Sequence, residues 1–315
     1  MYKRMLVPLD GSALAEGILP YTRELARSLG LDVVLIHIAD KKDSGTLLLH
    51  KAYVDRTADN IRRDIAKNPK KKSGVPRESQ GIKVSGEVMV GSPAEEILSY
   101  ADTNDIDLIL MATHGRSGIR RWVIGSVADK VLRSSRVPVL LVRTGIPQHI
   151  VDNEWPDTML VPLDGSGLAE LVLPHVEALA KQPKSKTVKV TLLMACEPPS
   201  MPAFAPPEFL ANWGDMAAKQ MAKSRNSAKK YLTRIEKQLN SAGLTVSSEV
   251  LEGQAAEEIV NYAAKNSSSL IVMATHGRSG LSRWAYGSVA EKVLLAASIP
   301  ILLVRPASTG DPLPG

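Results

Sequence analysis

Short apolar runs alternate with amphipathic segments along the whole chain. In the first half, the apolar runs that predict strands are 4–9, 32–38, 82–90, 107–112 and 137–143. The segments between them repeat their apolar residues with the 3.6-residue period of a helix, at 12–29, about 47–66, 92–101 and 126–133. This alternation is typical of βαβ units, whose right-handed crossovers build a parallel sheet. The pattern therefore predicts an α/β protein with helices on both faces of a parallel sheet.

The same pattern occurs twice. Met5–Glu16 recurs 154 residues later as Met159–Glu170, and the closing strand Val137–Arg143 recurs 162 residues later as Ile299–Arg305. A repeat of this length predicts two domains of one architecture. We place them at 1–146 and 155–308, joined by an aperiodic linker at about 144–156. The second copy is longer in its middle by eight residues, which we assign to the connections at 181–187 and 197–207.

A glycine-rich stretch follows the fourth strand of each copy. It contains Gly115 and Gly125 in the first copy and Gly277 and Gly287 in the second, with nine residues between the two glycines each time. Glycine permits unusual backbone conformations and close approach of a ligand. The Gly-Ser pair also opens a helix, whose N-terminus favours an anion such as phosphate. The alternative is an ordinary turn with a serine helix cap, and the paired occurrence favours the anion site.

A carboxylate follows the first strand of each copy, at Asp10 and Asp164. Ligands of open α/β sheets sit beyond the carboxyl ends of the strands, so a carboxylate there would lie across a cleft from the glycine-rich stretch. Ribose hydroxyls are donors that a carboxylate can accept, and the second strands end at Ile38 and Ala195, which could flank a base. This combination indicates a nucleotide. The alternative is that Leu-Asp-Gly-Ser only makes a turn and caps a helix with Ser12, as Ser92 would do for a later helix.

Composition narrows the class of protein. Residues of the apolar types make up 44% of the chain but aromatic residues only 4%, which suits aliphatic cores around parallel strands. The single cysteine excludes an internal disulfide framework and suits a reducing compartment. No apolar run approaches the roughly 20 residues that span a bilayer, and the N-terminus enters a strand directly. We expect a cytoplasmic protein without a membrane segment. The basic run 67–77 has no interleaved aromatic residues, so nucleic acid is not favoured as a partner.

Several enzyme motifs are absent from the sequence. It contains no P-loop, no Gly-x-Gly-x-x-Gly after the first strand and no Gly-x-Ser-x-Gly elbow between strand and helix. His114 and His276 lack the cysteine or carboxylate spacing of a metal site and are better explained as residues that orient the turn. We therefore predict no catalytic residue and no protein metal site.

At these motifs the chain resembles the tandem type of universal stress protein. The resemblance rests on Val-Pro-Leu-Asp-Gly-Ser, Ala-Thr-His-Gly-Arg-Ser-Gly, Gly-Ser-Val-Ala and the closing Pro-x-Leu-Leu-Val-Arg, each present in both halves. It implies two Rossmann-like domains of the adenine nucleotide alpha hydrolase type, each with a five-stranded parallel sheet of order 3-2-1-4-5. It also implies that the two closing strands pair, so that the repeats form an intramolecular pseudo-dimer, and that whole chains form a homodimer.

The resemblance further implies ATP in each cleft, with Mg²⁺ as a candidate companion. ATP-binding members carry Gly-x-x-Gly-x₉-Gly-Ser/Thr, whereas this chain has alanine at the first glycine, at Ala112 and Ala274. Alanine is small, so we expect the cleft to admit the ligand. The candidate nucleotide-binding residues are Pro8, Asp10, Ile38, Ala112, Gly115, Arg116, Gly118, Gly125, Ser126 and Val127 in the first half, and Pro162, Asp164, Ala195, Ala274, Gly277, Arg278, Gly280, Gly287, Ser288 and Val289 in the second.

The resemblance leads to a hypothesis of an ATP-binding sensor or adaptor in stress response, with an unidentified protein partner. Any ATP hydrolysis should be slow, because the sequence offers no evident base or magnesium ligand set. Two alternatives stay open at this point. One is an interaction module that binds no nucleotide, and the other is a carrier of a different adenine-containing ligand such as AMP or a flavin dinucleotide.

Overall fold

The computed structural model describes ten strands and ten helices in the part of the chain that it covers. The described residues are 2–40, 45–67, 81–113, 124–143, 155–181, 187–201, 207–275 and 286–305, with 207–211 described by backbone alone. The strands are β1 (Arg4–Pro8), β2 (Asp32–Ala39), β3 (Val84–Val90), β4 (Leu108–Thr113), β5 (Val139–Arg143), β6 (Thr158–Pro162), β7 (Lys189–Cys196), β8 (Thr245–Glu252), β9 (Leu270–Ala274) and β10 (Ile301–Val304). The helices are α1 (Ala13–Glu16), α2 (Leu19–Leu29), α3 (Leu47–Lys67), α4 (Pro93–Thr103), α5 (Ser126–Ser134), α6 (Gly167–Glu170), α7 (Leu173–Ala180), α8 (Pro207–Ser241), α9 (Ala255–Lys265) and α10 (Ser288–Ala296).

The ten strands form one continuous sheet of order β3-β2-β1-β4-β5-β10-β9-β6-β7-β8. Within each half the neighbours are parallel and follow the order 3-2-1-4-5, which confirms the predicted fold class. The two halves join through β5 and β10, which run antiparallel with Leu140 opposite Leu302. The expected pairing of the two closing strands is thus present, and each closing strand covers the edge of the other.

Both faces of the sheet are buried, as the unbroken apolar runs predict for parallel strands. Successive side chains of a strand point to opposite faces, so Val7 packs with the layer of α2 and α3, while Leu6 packs with the layer of α4 and α5. The second half repeats this arrangement with Val161 and Leu160. The helices cover the two faces of the sheet, so the carboxyl ends of the strands lie between the two helical layers and remain accessible to a ligand.

The helix predicted over 12–29 is wrong as a single element, because it is broken into α1 and α2. Pro20 has no N–H with which to bond the carbonyl of Glu16, and its ring would clash with that group. Gly17 and Ile18 form a tighter turn than an α-helix, because each donates to the carbonyl three residues back. Gly17 N donates to Leu14 O at 3.2 Å, and Ile18 N donates to Ala15 O at 3.3 Å. The break isolates α1 as a single turn directly beyond β1.

Other predicted boundaries shift by one or two residues. β5 begins at Val139 instead of Val137, because the Ser135 hydroxyl donates to Val137 O at 2.7 Å and accepts from Val137 N at 3.2 Å. β3 begins at Val84 instead of residue 82. Of the two predicted serine caps, Ser12 accepts from Ala15 N at 3.1 Å, whereas the side chain of Ser92 makes no capping hydrogen bond.

The predicted linker includes one residue that the structure places in the core. Trp155 is fully buried, its ring meets Tyr21 of α2 edge-on at 5.1 Å between centroids, and its indole N–H donates to Ser269 O at 2.8 Å. A segment without periodicity can still contribute one large anchor, and periodicity alone does not reveal it. Trp155 therefore bridges the first half to the second.

Candidate functional site

A cavity of about 840 Å³ opens at the carboxyl ends of the second-half strands. It has the size of a small-molecule site and lies where ligands of open α/β sheets bind. The cavity gathers seven of the ten residues predicted for this half, namely Pro162, Asp164, Ala195, Ala274, Gly287, Ser288 and Val289. The chain positions that the sequence pattern singled out thus surround one space.

The remaining predicted positions of the glycine-rich stretches lie outside the described residues. They are Gly115, Arg116 and Gly118 in the first half and Gly277, Arg278 and Gly280 in the second. His114 and His276 lie outside as well. The described site is therefore built from the strand ends, the starts of α5 and α10, and α8.

Asp164 makes the turn that leads from β6 into α6. Its Oδ1 accepts hydrogen bonds from Ser166 N at 2.9 Å and from the Ser166 hydroxyl at 2.6 Å, and Ser166 Oγ accepts from Ala169 N at 3.2 Å. The turn and cap interpretation is therefore confirmed as a structural role. Since Asp164 also lines the cavity, its carboxylate is held rigidly at the cavity wall.

The start of α10 faces the same cavity. Gly287 N donates to Thr275 O at 2.8 Å, which ties the start of α10 to the residue after β9. Gly287 caps the nine-residue helix without a side-chain hydrogen bond, so the first N–H groups of α10 have no side-chain acceptor at the cap. Its φ of −61° is one that any residue adopts, so conformational freedom is not what glycine supplies here. The lack of a side chain leaves the N-terminus approachable.

The first half repeats this framework. Asp10 Oδ1 accepts from Ser12 N at 2.9 Å and from its hydroxyl at 2.6 Å, and Gly125 caps α5 with a φ of −60° and no side-chain hydrogen bond. The predicted residues Pro8, Ile38 and Ala112 lie at the carboxyl ends of β1, β2 and β4, and Ser126 and Val127 open α5. The structure thus brings the described residues of the first site to one edge of the sheet.

A stacked pair of histidines lies near the carboxyl ends of the first-half strands, and the sequence did not indicate a role for it. His37 of β2 is buried, its ring stacks on His50 of α3 at 4.3 Å between centroids, and its Nδ1 is 2.9 Å from Leu9 O. Burial lowers the pKa of His37, and His50 lowers it further. The counterpart of His37 on β7 is Met194, which lines the second cavity, so the two clefts differ in chemistry.

One side of the second cavity is formed by α8, which sequence reasoning missed. The residues of this helix that line the cavity are Gln220, Lys223, Ser224, Ser227, Ala228 and Tyr231, and we call them the α8 face. The inserted length was assigned to connections, but α8 has 35 residues where α3 has 21. The available signal was the three- and four-residue spacing of this set, which places its members on one side of a helix.

Two further features bear on the kind of site. Among the residues that the structure covers, no three histidine, cysteine, aspartate or glutamate side chains come together as a metal centre. None of the described helices combines the length and apolar character required to cross a bilayer. The described lining of the cavity offers two carboxylates, hydroxyls, an ammonium group and a helix N-terminus.

Comparison with known proteins matches both halves. A family model described as the universal stress protein family matches residues 1–143 and again 156–305. Universal stress protein MJ0577 of Methanocaldococcus jannaschii is 31% identical over 155 residues, covering 45% of this chain and 96% of that protein. Universal stress protein Mb2028c of Mycobacterium bovis is 23% identical over 224 residues, covering 71% of this chain and 70% of that protein.

A solved structure shares the tandem arrangement. The crystal structure of a universal stress protein from Archaeoglobus fulgidus DSM 4304 aligns with a TM-score of 0.64 and 18% identity, covering 96% of this chain and 98% of that one. At this identity the likeness establishes the fold.

Proposed function

The chain belongs to the universal stress protein family, and we propose that it binds ATP at the carboxyl edge of its sheet and acts as a nucleotide-dependent adaptor in stress response. The observation that carries the proposal is the second-half cavity, where Asp164 and the N-terminus of α10 line one space. A carboxylate that accepts from hydroxyls and a helix end that attracts anions are the two groups that a ribose phosphate requires.

In this proposal the described groups contact different parts of the ATP molecule. The Asp164 carboxylate, fixed by its bonds to Ser166, accepts from the ribose hydroxyls. The first N–H groups of α10 and the Ser288 hydroxyl bind the phosphates. Ala195 and Ala274 are small and leave room for the base and the sugar. A Mg²⁺ ion would be coordinated by the phosphates of ATP, since the described residues offer no cluster of three protein ligands for it.

The proposal assigns binding and not rapid catalysis. The cavity holds no described histidine, and its carboxylates are Asp164 and Glu197. Asp164 is engaged in the turn before α6, and Glu197 Oε1 accepts from Ala255 N at 3.3 Å at the start of α9. Neither arrangement resembles the base and metal set of efficient phosphoryl transfer, so ATP hydrolysis should be slow.

The proposal extends to the first half and to the assembly. Domains at 1–146 and 155–308 would each hold one nucleotide, with Asp10 and the start of α5 in the corresponding roles. The ATP state would alter contacts with a protein partner, and whole chains would pair as a homodimer. Analytical ultracentrifugation with and without ATP tests the assembly.

Calorimetric titration with ATP tests the proposed function. We expect two sites in the wild type and one in each of Gly125→Glu and Gly287→Glu, because a glutamate at the helix start blocks the phosphate position and repels it. Mass spectrometry of ligand released from denatured protein identifies what the purified chain carries. Absence of any adenine nucleotide binding would favour an adaptor that binds none, and a released AMP or flavin dinucleotide would favour a carrier of that ligand.

A further inference from the structure

The two halves contain the same tyrosine–glutamate pair in different states. Tyr53 of α3 donates to Glu16 Oε1 at 2.9 Å. In the second half the equivalent residues are Tyr231 of α8 and Glu170 of α6, but Glu170 Oε1 instead accepts from Arg234 at 2.8 Å. The Tyr231 hydroxyl is buried and has no hydrogen bond of ordinary geometry to the described residues.

The Tyr231 hydroxyl therefore has a nearby carboxylate, Glu170, that Arg234 already engages, and no well-aligned acceptor among the described residues. Burial raises the pKa of Tyr231 well above its ordinary value, and the nearby Glu170 carboxylate raises it further, so the hydroxyl keeps its proton at neutral pH. Buried polar groups nearly always have a hydrogen-bond partner, because a buried group without its hydrogen bond costs free energy of folding. Tyr231 lines the second cavity, so a ligand there can compete with Glu170 and offer the hydroxyl a better-aligned acceptor.

Lys223 lies on the same side of the helix as Tyr231. Eight residues separate the two, which places Lys223 about 12 Å along α8 toward its N-terminus. It also lines the cavity, and within the described ranges its ammonium group makes no ion pair or hydrogen bond. A cation without a partner in a cavity favours an anionic ligand.

The first cleft lacks this arrangement. When Tyr53 is matched to Tyr231, the counterpart of Lys223 is Gly45, two residues before α3 begins at Leu47. The counterpart of Ala228, a small residue of the α8 face, is His50, whose ring stacks on His37. The first half thus offers a paired tyrosine, no cation at this position, and an imidazole where the second half leaves space.

We propose that the α8 face is part of the nucleotide site of the second half, with Tyr231 donating a hydrogen bond to an oxygen or ring nitrogen of the ligand and Lys223 attracting its negative charge. The inference rests on the proposed function and adds to it that the two clefts are unequal. The second cleft binds ATP more tightly, because the first half has Gly45 in the place of Lys223 and its tyrosine already donates to Glu16.

The test isolates each cleft before changing α8. In a Gly125→Glu background, which leaves the second cleft, ATP affinity is measured for Tyr231→Phe, Lys223→Ala and the control Lys230→Ala. Lys223 and Lys230 are both exposed residues of α8, and Lys230 does not line the cavity. We expect Tyr231→Phe to weaken ATP binding by about 3- to 10-fold, the usual worth of one hydrogen bond. Lys223→Ala should weaken it several-fold and flatten its dependence on salt, while Lys230→Ala should leave both unchanged.

The reciprocal background supplies the matched control. In Gly287→Glu, which leaves the first cleft, Tyr231→Phe and Lys223→Ala should not change the ATP affinity, and that affinity should be the weaker of the two. Unchanged ATP affinity of the second cleft in both α8 variants, with the wild type binding ATP, would overturn this inference alone. Loss of binding in the wild type as well would overturn the proposed function and the inference with it. Equal affinities of the two isolated clefts would also contradict the proposal.

Discussion

The Tyr286 hydroxyl donates a hydrogen bond to the backbone oxygen of Asp129 at 3.1 Å. Tyr286 directly precedes Gly287 at the start of α10, and Asp129 lies in the first turn of α5. One residue therefore links the proposed phosphate-binding helix of the second half to the equivalent helix of the first. The Arg133 guanidinium, which also pairs with Asp129 at 2.9 Å, lies over the Tyr286 ring at 4.5 Å from its centroid.

This link is not repeated in the opposite direction. The position equivalent to Tyr286 in the first half is Ile124, and the one equivalent to Arg133 in the second half is Leu295. Ile124 has no hydroxyl to donate and no ring, and Leu295 has no cation, so this pair forms neither the hydrogen bond nor the cation–π contact. The two halves therefore contribute equivalent strands to the junction, but the Tyr286–Asp129 contact occurs in one direction and its equivalent does not form.

Removal of the Tyr286 hydroxyl should weaken the junction. Tyr286→Phe keeps the ring under Arg133 but loses the bond to Asp129, so we expect about 1 kcal/mol less stability toward urea. Tyr286→Ile, the residue of the other half, also loses the cation–π contact and should cost more. A phenylalanine variant as stable as the wild type would show that the hydroxyl contributes nothing at this junction.

Trp155 provides a second link between the two halves, and substitutions can separate its ring packing from its hydrogen bond. Trp155→Ala removes a large buried ring that contacts Tyr21, and we expect a loss of about 3–5 kcal/mol in the free energy of unfolding. Trp155→Phe retains an aromatic ring but leaves Ser269 O without its indole donor, so a smaller loss is expected. Thermal and urea unfolding measure both variants. A loss below about 1 kcal/mol for the alanine variant would contradict the placement of Trp155 in the core.

The roles of Asp164 can also be separated. Asp164→Asn keeps an oxygen that can accept from Ser166 and therefore preserves the turn, whereas Asp164→Ala removes it. We expect the alanine variant to lose about 1 kcal/mol of stability and the asparagine variant to lose less. If the carboxylate accepts from ribose, ATP affinity should fall in both, and more in the alanine variant. Asp10→Asn and Asp10→Ala serve as matched controls, since they should affect the first cleft only.

The parallel strands and their ends were predictable from local patterns, whereas the sheet order 3-2-1-4-5 was predicted only through the family resemblance. Apolar runs specify buried strands, and the repeated Asp-Gly-Ser turn is satisfied within three residues of Asp10. The break at Pro20 was readable from proline chemistry and was overlooked in favour of helical periodicity. The spacing of the α8 face places its residues on one side of a helix, but their position at the second cavity could not be read from it, since that depends on how far a long helix extends beyond the sheet. Trp155 was missed because its partners Tyr21 and Ser269 are distant from it in sequence.

Acid should weaken the junction between the halves through His175. The Tyr2 hydroxyl of the first half lies 2.8 Å from Nδ1 of His175 in α7, and burial lowers the pKa of His175 to about 4. The unfolded chain therefore binds a proton near pH 6.5 that the folded chain binds only near pH 4. The stabilisation is complete above about pH 6.5 and is lost as the pH falls from there toward 4, by on the order of 2–3 kcal/mol.

The pH dependence of unfolding tests this assignment directly. His175→Gln keeps a hydrogen-bonding side chain at this position but cannot titrate, so its stability should fall less between pH 7 and pH 4.5 than that of the wild type. Some pH dependence should remain, because burial also lowers the pKa of His37 in the first half. His37 acts within one domain, so a His37→Gln variant should retain the part that belongs to the junction. Equal slopes in the wild type and His175→Gln would show that the Tyr2–His175 contact does not govern the response to acid.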